Sequence, residues 1–118
     1  MIEVIILISL EERYENFRST IMACGSYLLK ESDDTIEYNL FEEFSVGVIS
    51  FLHEDTLNMF LDEGMIDYDI FTKCKELRNI YLQLDESPNL FNVYSVKTSD
   101  EWRKILILSD EIKELLYW

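Results

Sequence analysis

Between Asp67 and Pro88 the apolar residues Ile70, Phe71, Cys74, Leu77, Tyr81 and Leu84 recur at steps of three and four. That spacing aligns on one face of a helix and on no face of a strand, whose side chains alternate with period two. Asp67 stands where an N-cap belongs, and Ile66 and Phe71 flank it with the spacing of a hydrophobic staple. "DESPN" then breaks the pattern at Pro88. Where such stripes run along most of a chain, they can be buried only by packing helix on helix. With 118 residues, 48% of them hydrophobic, there is material for one core. Three glycines and one proline are too few for the turns of an all-β protein. The expectation is an all-α or nearly all-α chain, with residues 1–118 forming a single-domain bundle of about five helices.

The first stripe is Ile6, Leu10, Tyr14, Phe17, Ile21, Cys24 and Leu28, which reads as one long helix. "SLEE" (Ser9 to Glu12) is a capping box that would start the helix there instead, leaving residues 2–8 as a buried strand. The phase of Ile2 and Ile6 favours continuous helix. "ESDDTIE" separates this helix from the next, with Asp34 as cap and Glu37 reaching back. Ile36, Leu40, Phe41, Phe44, Val48, Phe51 and Leu52 form one face of the second helix, and Tyr38, Val46 and Ile49 the other. A helix apolar on two sides belongs at the centre of a bundle. Gly47 marks either a close approach by a neighbour or a simple loss of stability.

"DTLNMFLDEG" is a short helix with Gly64 as its left-handed stop. "NLFNVYSVK" is the other strand candidate (residues 90–97) or an extended crossing loop. "TSDE" (Thr98 to Glu101) is a capping box for a last helix carrying Trp102, Ile105, Leu106, Ile112, Leu115 and Leu116, with a break at Ser109 an option.

Charge is the second constraint. Residues 31–72 hold twelve of the 24 carboxylates and no Lys or Arg, so that block carries −12, while the remaining twelve acids and ten bases leave −2 elsewhere. Solubility alone needs a net charge of magnitude about 2–8 with signs interspersed. A segregated block repels itself, and it reads as a recognition surface rather than a solubilising one. Asp62 and Glu63 close a helix whose dipole disfavours anions at that end, whereas Asp67 and Asp69 open the next, where acids fit. Tyr68 lies between the latter two, an aromatic rimmed by carboxylates in the manner of an interface anchor. The alternative for Tyr68 is partly buried packing.

Catalytic signatures are missing. His53 adjoins Glu54 and Asp55, but neighbours along a helix do not face each other, so it reads as a surface or helix-boundary residue. "DEGMIDYD" lacks the ligand order of a calcium loop. Cys24 and Cys74 sit in apolar helical patterns as a reduced, buried pair, and no CxxC or Cys/His cluster suggests zinc. No phosphate loop or dinucleotide fingerprint is present, and direct nucleic-acid binding is opposed by the charge. The expectation is therefore no enzyme, no cofactor and no metal. "MIEVIILISL" carries Glu3 and no basic n-region, and the residues ahead of "IMACG" are charged, so neither reads as a secretion signal. No apolar run reaches the roughly 20 residues of a membrane span. A cytoplasmic protein without membrane contact is expected.

The acidic block 31–69, "IDYDIF" and the closing "TSDEWRKILILSDEIKELLYW" resemble the immunity proteins of bacterial contact-dependent growth inhibition and related polymorphic toxin systems, and more distantly those of nuclease colicins. The resemblance implies a protein that binds and neutralises a cognate toxin, often a basic nuclease, either over its active site or beside it. Glu42, Glu43, Glu54, Asp55, Asp62, Glu63, Asp67, Tyr68 and Asp69 are the candidate partner-binding residues. A nucleic-acid-mimicking inhibitor is the nearest rival, although it would space its carboxylates regularly along one face. A metal-dependent carboxylate enzyme is the other, and it would bind divalent metal stoichiometrically.

Overall fold

The structure, a computed structural model, describes residues 9–116. Six α-helices carry the fold, and there is no strand among the described residues. Helix α1 spans Leu10–Met22 and is followed by a 3-10 turn, Ser26–Lys30. Helix α2 covers 33–50 without interruption, built from an α-helical start Asp33–Glu37, a π-helical stretch Tyr38–Phe44 and an α-helical end Ser45–Ser50. Then come α3 (Glu54–Asp62), α4 (Tyr68–Leu84), a 3-10 turn (Pro88–Leu90), α5 (Val93–Thr98) and α6 (Asp100–Leu116).

Helices α4 and α6 pack along each other and form the spine. On that spine α1 packs against α2 and α6, α3 leans on α4, and α5 folds back on α6. The α4 stripe is buried as its spacing requires, from Ile70 to Leu84. Ile66 and Phe71 are both in the core, and Asp67 Oδ1 accepts the Ile70 N–H at 2.8 Å. Gly64 ends α3 at φ 73°, with the Met65 N–H on the Phe60 carbonyl (2.8 Å) and its own N–H on Leu61 (3.1 Å), which is a Schellman motif.

Several expected boundaries move. Ser9 is extended and accepts the Glu12 N–H at 3.1 Å, so α1 starts at Leu10 rather than running on from Ile2. Residues 2–8, expected as helix or strand, lie outside the described residues. The stripe through Cys24 and Leu28 is buried as expected, but by two elements: α1 stops at Met22, and Gly25 leads into the 3-10 turn. Ser32, not Asp34, caps α2 through the Thr35 N–H. Ser99, not Thr98, caps α6 through the Trp102 N–H at 3.2 Å, while Thr98 closes α5. Helix α6 does not break at Ser109, which is fully buried within it.

Residues 90–97 are not a strand. Asn92 accepts the Ser95 N–H at 2.8 Å and starts α5, which turns Val93 and Val96 inward and Tyr94 out. The segment is held by Trp102, whose Nε1 donates to the Leu90 carbonyl at 2.7 Å and whose ring meets Phe41 and Phe91 edge-on. Phe44, Tyr81 and Phe91 extend this aromatic cluster.

Helix α2 is not buried on two sides. Ile36, Leu40, Phe44, Val48 and Leu52 are fully buried, whereas Tyr38 (53%), Val46 (63%) and Ile49 (61%) stand exposed. The buried five are spaced strictly by four. At 3.6 residues per turn each step overshoots by about 40°, so a regular helix would turn Val48, the last of them within α2, about 120° away from Ile36. The wider turns of the π stretch rotate the chain back and keep the stripe on the core. Ser45 completes that stretch: its hydroxyl donates to the Leu40 carbonyl at 2.9 Å and accepts from the Tyr81 hydroxyl at 2.5 Å.

Candidate interaction surface

All nine residues picked out by charge and pattern are exposed. They fall in three places. Asp62, Glu63, Asp67, Tyr68 and Asp69 surround the α3–α4 corner, where Gly64 turns the chain and Asp67 spends one carboxylate oxygen on its cap. Glu54 and Asp55 occupy the first turn of α3, at its other end. Glu42 and Glu43 lie on the π stretch of α2.

The gap in basic residues along the chain is partly filled in space. Lys75 of α4 reaches Glu54 at 3.1 Å, and Lys97 of α5 reaches Asp33 at 3.0 Å. The other ten acids of the block have no Lys or Arg partner among the described residues. Asp62 and Glu63 are at the C-terminal end of α3 with no basic residue in its last turn, so the unfavourable helix-dipole placement is real.

Tyr68 is 72% exposed and stacks on Phe71 with ring centroids 6.0 Å apart, which excludes the packing alternative. Lys75 lies over the other partner of that stack, 5.3 Å from the Phe71 centroid, before turning to Glu54. Tyr68 therefore heads a shallow hollow of about 340 Å³ along α4, and one cation borders it.

His53 is the N-cap of α3, its Nδ1 accepting the Asp55 N–H at 3.2 Å, as a helix-boundary residue should. Cys24 and Cys74 are free and buried, and burial pushes both thiols up to about 12, so neither is a thiolate at neutral pH. No group of three or more His, Cys, Asp and Glu among the described residues is placed to hold a metal ion. No helix among them is long and apolar enough to cross a membrane.

Pattern reading missed a second feature. Glu42 and Glu43 border a groove of about 300 Å³ between α1 and α2, together with Asn16, Ser19, Tyr38, Val46 and Phe51. Its floor is the contact between Gly47 and Thr20, where a Cβ on Gly47 would overlap the Thr20 side chain. Tyr38 donates to Glu43 Oε1 at 2.7 Å, and that carboxylate pushes the phenol above its ordinary pKa. The signal was present in the sequence as Tyr38, Glu42, Val46 and Ile49, which share one face. Their apolar members suggested burial instead.

Comparison of the chain with models of known protein families, with curated proteins and with solved structures finds no match.

Proposed function

We propose that this protein is a cytoplasmic immunity protein that binds and neutralises a cognate bacterial toxin, a basic nuclease, through its acidic surface, without cofactor or catalysis of its own. One observation carries the reading: ten of the twelve acids in residues 31–72 lack a Lys or Arg partner among the described residues. Such charge costs the folded state self-repulsion, and a positively charged partner relieves it. A nuclease must be positive to hold phosphates, so an anionic protein competes for the same surface or its rim.

The first check is genetic, since a toxin-like reading frame adjoining this gene is expected. The decisive one is co-production with that toxin, reading cell survival and the affinity of the purified pair. For the test variant Asp62→Asn with Glu63→Gln, which should weaken binding, the charge-matched control is Asp85→Asn with Glu86→Gln at the far end of α4, whose 17 residues place it about 25 Å from Tyr68. A parent protein that neither binds nor protects sinks the reading.

A further inference from the structure

Carboxylates steer a partner, but affinity comes mostly from a desolvated apolar centre with polar groups around it. At the α3–α4 corner the exposed large apolar residues are Tyr68 and, less so, Met59 in the last turn of α3, whereas the α1–α2 side gathers five of the ten among the described residues: Met22, Tyr27, Tyr38, Val46 and Ile49. Val46 and Tyr38 line the groove with Glu42 and Glu43, and Ile49 continues the same face one turn on. Ser19 links the groove to an adjoining hollow bordered by Met22, Tyr27 and Arg18, the last paired with Glu15 at 3.2 Å. Glu42 and Glu43 have no cation beside them among the described residues.

Resting on the immunity reading, we propose that the groove between α1 and the π stretch of α2 is the centre of the toxin interface, and that it takes a segment presenting apolar side chains bordered by Lys or Arg. The apolar side chains cover Val46, Ile49 and Phe51. The cations meet Glu42 and Glu43, and Glu43 arrives already oriented by the Tyr38 hydroxyl. A second copy of this chain is the wrong occupant electrostatically, because it would bring one −12 block against another. The corner acids then act at long range, raising the rate of encounter without forming the contact.

The probe is a short amphipathic peptide of leucine and lysine, titrated into isotope-labelled protein and followed by amide chemical shifts. Shifts should centre on residues 16–20 and 38–49, and Val46→Ser with Ile49→Ser should weaken binding about tenfold or more at unchanged charge. Glu42→Gln with Glu43→Gln should cost more than Asp62→Asn with Glu63→Gln or Asp85→Asn with Glu86→Gln, each of which removes the same charge. Equal losses from the three acidic pairs, or shifts centred on 62–69, overturn the proposal. So does a dimer in sedimentation that Val46→Ser dissolves. All these positions are exposed, and circular dichroism checks that the variants fold. Toxin protection separates the two readings: full protection by the groove variants removes the groove and leaves immunity standing. If the parent fails to protect, immunity falls and the peptide titration still decides the groove.

Discussion

Gly47 has no side chain to place, and Thr20 occupies the space where one would stand. Thr20 is itself anchored, its hydroxyl donating to the Asn16 carbonyl at 3.0 Å. Alanine at 47 gains about 1 kcal/mol of helix propensity but forces α1 and α2 apart, an overpacking cost of about 1–3 kcal/mol. Because the overlap involves the Thr20 Cβ as well as its hydroxyl, the steric cost should win, and urea denaturation of Gly47→Ala should show net destabilisation. Gly64 is the opposite case: nothing lies within 4 Å of its missing Cβ, so Gly64→Ala should cost only the left-handed backbone, about 1–2 kcal/mol. Asp62→Asn with Glu63→Gln should raise stability slightly, by about 0.3–1 kcal/mol per charge, since it removes anions from a helix C-terminus. The two thiols predict an alkaline effect with a definite sign. Their pKa is about 12 folded against an ordinary 9.0, so the unfolded chain releases protons first as pH rises. Their contribution is complete below pH 9 and is lost from there towards 12. The urea midpoint should fall over that range, and less steeply in Cys24→Ala with Cys74→Ala.

At the scale of elements, the π stretch of α2 decides the most. A stripe spaced by four can meet a core only if the helix is underwound, and Ser45 secures that by bridging the Leu40 carbonyl and the Tyr81 hydroxyl. Ser45→Ala leaves a buried hydroxyl without that partner and should cost about 1–3 kcal/mol in denaturant unfolding. An unchanged midpoint would show that the stretch is held by packing alone. Helix α4 was legible in full, because cap, staple, stripe and proline all act within or next to one element. The segment 90–97 was not, because its conformation answers to Trp102, a residue in the following helix. Alternating polar and apolar residues cannot reveal that no partner strand exists.

For the whole molecule the acidic block is the governing feature. Screening acts over about 8 Å at physiological ionic strength, so added sodium chloride should relieve the like charges of residues 31–72 and raise the melting temperature. A flat profile would mean that the exposed acids are already too far apart to interact. If the proposed toxin is the partner, the same charges should make its association slow with salt more than its dissociation quickens.

Fold class, the α4 and α3 boundaries, the exposure of the acids and the boundary role of His53 follow from local patterns, since caps, dipoles and helical periodicity operate over a few residues. Three things were decided only by the assembled chain. Lys75 and Lys97 come from other helices to neutralise Glu54 and Asp33. The outer face of α2 is left bare because α1, α4 and α5 pack only against its inner side. The groove exists because Gly47 lets α2 settle against Thr20 of α1, a contact between residues 27 positions apart that no periodicity encodes.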